Sequence, residues 1–254
     1  MIMLKILSFI ALTFLINTVG AYKAIDKKYK EGFVSINKLD SSIIINLKYV
    51  HNNNILSKSA PGCGCDSSEA LLTAEAAEAL LAVQEYLTMR GFSLVIYDAY
   101  HPYKTYTAFE EWCCAADQED IKKIYHPHLT KTALIESGYI KNKLDHTRGS
   151  TVDVTIIPLT TEIKDPCTIK KLNYKNIGDI MYVDDGTLNM GSSYDLFDQV
   201  SSHGCDLIEQ SAKDNRAFLK EAMESNGFVS NDQVWWQYKL AREPFVDSNF
   251  DFDV

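Results

Sequence analysis

One stretch limits the fold of this chain more than any other: a helical run that stops at a glycine and passes at once into a β-strand. Thr73 to Met89 is rich in Ala, Leu and Glu and contains neither Gly nor Pro, which predicts a helix. Gly91 closes it in the usual C-terminal manner, and Phe92 to Tyr97 (FSLVIY) reads as the strand that follows. Ser42 to Tyr49 is β-branched and apolar, and Val152 to Pro158 (VDVTIIP) follows a Gly-Ser turn; both predict strands. Asn215 to Ser225 (NRAFLKEAMES) repeats the helical pattern and stops at Gly227, and Trp235 to Leu240 (WWQYKL) predicts a last strand. Strands and helices do not alternate strictly. That points to an α+β domain with an antiparallel sheet rather than a doubly wound one. There is no internal repeat and no linker, and 254 residues suffice for a sizeable core.

Charge and the N-terminus narrow the function classes. Asp and Glu number 34 against 25 Lys and Arg, a net charge of -9, so the chain lacks the basic stripe that neutralises phosphates, and nucleic-acid binding is disfavoured. Lys5 is the sole charge in the first 22 residues; the apolar run Ile6 to Ile16 follows, and Val19 and Ala21 give a small-residue cleavage pattern. This reads as a secretory signal peptide over residues 1–21, leaving a mature domain of 22–254. A membrane anchor is the rival reading, but a bilayer core needs about 20 apolar residues. No later segment approaches a span, so no membrane association is expected after cleavage. Asp247 to Val254 reads as a loose acidic tail.

Six cysteines (Cys63, Cys65, Cys113, Cys114, Cys167 and Cys205) agree with export. An even count in an exported chain allows three disulfides, and the close pairs Cys63/Cys65 and Cys113/Cys114 are expected to pair outward. A structural zinc site is disfavoured, because paired C-x-x-C spacing is absent. There is no Asn-x-Ser/Thr sequon.

The segment richest in chemistry is His146 to Asp153 (HTRGSTVD). A turn at Gly149-Ser150 followed by a strand brings imidazole and carboxylate toward one point, and both suit zinc. The spacing alone is equally that of an ion pair or a capping arrangement.

The surroundings add to it. NLKYVHNNN (46–54), IYDAYHP (96–102), HTRGSTVDVT (146–155), NMGSSYDLFDQVSSH (189–203), NRAFLKEAMESNGF (215–228) and VWWQY (234–238) occur in this order. With these runs the chain resembles the D-alanyl-D-alanine dipeptidases of the zinc D,D-peptidase family. The resemblance implies a single compact α+β domain of the hedgehog/D,D-peptidase type, its central antiparallel sheet flanked by helices. It implies hydrolysis of D-Ala-D-Ala, a cell-wall dipeptide, with D-Ala-D-Ala or another small peptide as partner and zinc as cofactor. The family's H-x-x-G-x-x-x-D motif puts two zinc ligands on His146 and Asp153. Its E-W-W-H motif carries a catalytic glutamate and the third ligand, and its D-A-Y-R-P motif an arginine that faces the oxyanion. In such a site zinc activates water and polarises the carbonyl, the glutamate takes the proton and the arginine steadies the negative charge. Tyr100, Ser150, Trp235 and Trp236 are expected at the substrate cleft.

This sequence departs from the pattern at the chemical positions. Val234 stands where the family has its glutamate, Gln237 where it has the third ligand, and His101 where it has the arginine. Valine accepts no proton, an amide oxygen is a poor zinc ligand beside imidazole, and neutral imidazole lacks the arginine fork. Leu144 and Asn189 replace a usual serine and aspartate. His101 is a candidate replacement ligand. His203 suits a supporting role, His126 and His128 a solvated loop, and His51 has no evident partner. Three readings follow: a dipeptidase homologue with a degenerate site, weak or inactive as a hydrolase; a working zinc dipeptidase with a rebuilt site; or a non-catalytic interaction protein.

Overall fold

The computed structural model describes residues 30–64 and 69–254. The expected signal peptide and Cys65 lie outside them.

The domain is α+β. β1 (Phe33–Ser35) pairs antiparallel with β3 (Leu71–Thr73), and α1 (Ile36–Leu39) and β2 (Ile44–Ile45) lie between them in sequence. α2 (Ala74–Thr88) begins at Thr73, whose hydroxyl accepts from the Ala76 amide as an N-cap. β4 (Phe92–Asp98) leads into four short helices: α3 (Tyr103–Cys114), α4 (Glu119–Tyr125), α5 (Lys131–Glu136) and α6 (Tyr139–Lys143). A 3-10 turn over Leu144–Arg148 delivers the chain to β5 (Thr151–Pro158). β6 (Thr168–Tyr174) and β7 (Gly178–Asp184) form a separate hairpin, and α7 (Gln210–Glu224), β8 (Phe228–Ser230) and β9 (Gln237–Leu240) complete the chain.

The main sheet has five strands in the order β2-β4-β5-β9-β8. Every neighbouring pair is antiparallel except the two-residue pairing of β2 with β4. The predicted strand at Ser42 to Tyr49 shrinks to Ile44–Ile45, because Asn46 and Lys48 donate singly to Ile96 and Tyr97 carbonyls while the chain turns away. Trp235 and Trp236 precede β9 instead of opening it. α4 to α6 and the hairpin carry no strong apolar period, whereas α3 buries Thr105, Ala108, Phe109 and Trp112 at helical spacing, a signal the sequence reading passed over. β5 is buried from Thr151 through Ile157, so the central strand is covered on both faces.

Three further expectations meet the structure. The five described cysteines are free thiols, so the three expected bridges are not formed among them: Cys63 packs beside Thr105 while Cys113 and Cys114 end α3. The tail is docked, not loose. Phe245, Phe250, Phe252 and Val254 surround Phe33 and Tyr100, and backbone bonds tie Phe250 to Thr147 and Tyr103 and tie Val254 to Gly62. Aromatic side chains interleaved with the acids outweigh the acidity: Phe252 stacks on Tyr100 at 4.3 Å. Among the described residues, no helix is long and apolar enough to cross a membrane.

Candidate active site

The sheet itself builds the site. A register shift between Ile96 and Asp98 leaves Tyr97 as an extra residue and sets Asp98 opposite Asp153, and Asp153 in turn faces Gln237. Bulges of this kind re-aim side chains. Asp98, Asp153 and Gln237 thus form one row across β4, β5 and β9.

His146 is added to this row by the 3-10 turn. Gly149 ends that turn at φ +74°, and a Cβ there would sit 2.1 Å from Phe33 Cε1, so only glycine fits. The Thr73 amide donates to the Gly149 carbonyl at 2.7 Å, and the Thr73 and Ser150 hydroxyls bond at 2.8 Å. Arg148 clamps the other side to Glu243 and Asp145.

The result is a buried polar cluster. His101, His146 and Asp153 have no exposed surface, and Asp98 is 4% exposed. His146 Nδ1 lies 2.8 Å from the Ala99 carbonyl, which can only accept, so Nδ1 carries the hydrogen. His146 Nε2 is 3.1 Å from Asp153 Oδ1 and 3.1 Å from Gln237 Nε2. The Gln237 carbonyl oxygen accepts from Asn231 Nδ2 at 2.7 Å, and its amide nitrogen reaches toward the Asn142 carbonyl at 3.4 Å. These partners point the amide N–H at His146. His101 Nε2 faces the Lys143 carbonyl at 3.0 Å, and its Nδ1 faces Asp98 Oδ2 at 3.2 Å.

Lys143 is a member that the sequence reading missed. Its ammonium is 2% exposed. It lies 2.9 Å from Asp195 Oδ1 and 3.3 Å from Asp153 Oδ2. Tyr194 also donates to Asp153 Oδ2, at 2.9 Å, and Tyr49 donates to Asp195 Oδ2. Asp153 Oδ1 meets His146 Nε2 and has no second hydrogen-bond partner.

The charges set one another. Burial pulls the His146 imidazole down, but Asp153 and Asp98 outweigh it and raise it to about 9. Burial pushes the Asp153 carboxyl up, and His146 and Lys143 reverse this and hold it well below the usual carboxylate range. Burial raises the Asp195 carboxyl against the pull of Lys143, and it lowers the His101 imidazole against the pull of Asp98.

Asp98, His101 and His146 each offer one atom within 4.8 Å of the others and could hold a metal ion. The other expected residues fall as follows. Val234 is an apolar core residue, 3% exposed. Trp235 donates to Ser192, and Trp236 packs against Tyr194 at 5.4 Å; both are core. Ser150 is fully buried, whereas Tyr100 lines a small recess with Tyr49, Cys63, Glu69, Asp98 and Val254. His126 is 1% exposed and faces the Leu129 carbonyl, so the expected solvated loop does not hold there, while the exposed His128 faces Asp198. Asn189 caps the turn to Gly191.

This geometry sits on a chain whose relatives are known. A family model described as D-ala-D-ala dipeptidase matches residues 29–165 and 179–254. The chain belongs to the D-Ala-D-Ala dipeptidase family. It is 29% identical over 223 residues to a D-alanyl-D-alanine dipeptidase of Enterococcus faecium, covering 88% of this chain and 98% of that one. The dipeptidase of Streptomyces coelicolor is 28% identical over 222 residues, covering 87% and 98%. That of Escherichia coli is 24% identical over 196 residues, covering 77% and 78%. The family match passes over residues 166–178, which hold β6, so much of the exposed hairpin stands outside the shared D-Ala-D-Ala dipeptidase pattern.

Asp98, Lys143 and Asp195 are the members of this cluster that the sequence reading did not single out. Asp98 had a signal, as a carboxylate ending an apolar strand. Asp195 lies inside the family-like run NMGSSYDLFDQ, in the left-handed region at φ 58°, which no sequence pattern announces. Lys143 is the last residue of the polar run Lys141-Asn142-Lys143 and reads as surface.

Proposed function

We propose that this chain is an exported D-Ala-D-Ala dipeptidase homologue whose hydrolytic centre is degenerate. It is weak or inactive as a hydrolase and takes a D-Ala-type or other small peptide at the inherited cleft. The observation that carries this reading is Gln237. At the position of the family's third ligand, its amide nitrogen lies 3.1 Å from His146 Nε2, where the family has an imidazole donor for the metal.

The donor set fits zinc at two corners. His146 Nε2 and Asp153 Oδ1 are 3.1 Å apart, a separation suited to two donors on one ion, and the buried oxygen has no hydrogen-bond partner besides that imidazole. The third corner is an amide N–H, so the set does not complete the three protein ligands of a catalytic zinc site. Val234 supports the same reading, since an apolar core side chain takes no proton from water. His101 is committed to Asp98 and the Lys143 carbonyl and has no exposed surface from which to meet an oxyanion.

Zinc per chain after dialysis against a mild chelator tests this. The reading predicts well under one zinc per chain; about one would overturn it. A second reading, a working zinc dipeptidase with a rebuilt site, is favoured by the approach of Asp98, His101 and His146. It predicts one tightly held zinc that His101→Ala removes. Export predicts that the protein recovered outside the cytoplasm begins at Tyr22; recovery in the cytosol with residues 1–21 intact would contradict it.

A further inference from the structure

The site holds a buried cation that the family chemistry does not call on. Lys143 ends α6 with its ammonium 2% exposed. It lies between Asp195 at 2.9 Å and Asp153 at 3.3 Å, with the Tyr194 hydroxyl at 3.3 Å. Aromatic rings close the remaining sides: the ammonium is 4.8 Å from the Tyr49 ring centroid, 5.3 Å from that of Tyr194 and 5.7 Å from that of Phe109. Two carboxylates buried at 0% and 1% exposure cannot stay ionised side by side without a cation. In this chain a covalently attached one is already there.

We propose that the Lys143 ammonium is the built-in cation of this centre: it bridges Asp153 and Asp195 and, together with His146 facing Asp153, lets the fold bury both carboxylates without a divalent ion. The proposal rests on the reading above that the hydrolytic centre is degenerate. The ammonium holds one oxygen of Asp153, Oδ2, while the other faces His146, so it also fixes how that carboxylate is turned. Lys143 is therefore a positioning residue that acts through Asp153.

A charge-deletion cycle on the full chain tests this, with thermal unfolding read in the presence of EDTA and then of added zinc. The wild-type Tm is expected to be the same in both. Lys143→Met keeps the side-chain length and removes the charge; its Tm in EDTA is expected to fall on the order of 10 °C, because an unpaired buried carboxylate is left behind. Zinc is expected to recover part of that loss, since the exposed demand for a cation is then met by the added ion. Lys143→Met with Asp195→Asn is expected to lose less than the two single variants together, and it remains readable if Lys143→Met does not fold.

A wild-type Tm that drops in EDTA would overturn the proposal. So would a Lys143→Met Tm within about 2 °C of wild type, less than a kcal/mol on the usual scale. Additive losses in the double variant, or a folded Lys143→Met indifferent to zinc, would do the same. The two readings fail separately. Rapid D-Ala-D-Ala hydrolysis with a chelator-indifferent Tm would remove the degenerate-centre reading and leave the lysine's role. A chelator-sensitive Tm without hydrolysis would do the reverse.

Discussion

Gln237 governs what His146 can do. An imidazole whose Nδ1 is spent on a backbone carbonyl has one nitrogen left, and here the Gln237 amide stands beside it where a metal donor would be needed. Replacing that amide by a zinc donor is expected to matter more than any other single change in the site. Gln237→His is predicted to retain zinc through a dialysis that strips the wild type, read as metal per chain; equal metal content in the two would contradict it. His203 makes a prediction on the acid side. Burial pushes its imidazole down to about 4, and Lys220 and Arg216 add to this. The unfolded chain binds its proton near pH 6.5, so between about 6.5 and 4 the unfolded state holds more protons and stability falls as pH falls, by at most about 1.4 kcal/mol per pH unit. His203→Leu is expected to flatten that slope in urea unfolding; an unchanged slope would contradict it. The substitutions Val234, Gln237 and His101 could be read from the sequence because a motif fixed their places. Lys143 could not, since its meaning depends on Asp195, far away in the chain and brought close only by the fold.

At the level of elements, the long ones were readable and the short ones were not. α2 and β4 carry their own signals, Thr73 as cap and the apolar run of β4, and the structure moves their ends by a single residue. α3 buries one face, Thr105, Ala108, Phe109 and Trp112, but α4 to α6 are too short to show a stripe and lean on specific contacts. Lys131 of α5, for example, donates to the Trp112, Ala115 and Ala116 carbonyls at the end of α3. Such contacts have no local period. The turn before β5 makes its own prediction. Gly149→Ala adds left-handed strain, about 1–2 kcal/mol, to a clash with Phe33, about 1–3 kcal/mol, so roughly 2–5 kcal/mol should be lost in urea unfolding. A loss under about 1 kcal/mol, inside the ordinary range for a mild substitution, would mean that Phe33 moves aside freely.

For the whole molecule, the C-terminal segment joins the site to the outer layer. Phe252 stacks on Tyr100 and meets Phe33 edge-on at 5.0 Å, while Tyr100 lines the recess beside Asp98. Phe252→Ala is expected to cost about 2–4 kcal/mol, somewhat under the full-burial value because the ring is only partly buried. A neutral result in urea unfolding would mean that the segment is not part of the core. Its acidic composition suggested a loose tail because charge is visible in sequence, while the aromatic partners that outweigh it are not.

The central claim concerns the reaction, and the most direct measurement is release of D-alanine from D-Ala-D-Ala by the purified protein, with zinc supplied and then with a chelator. The account predicts little or no release, and no difference between the two conditions. Turnover near that of ordinary zinc peptidases, abolished by the chelator, would contradict it.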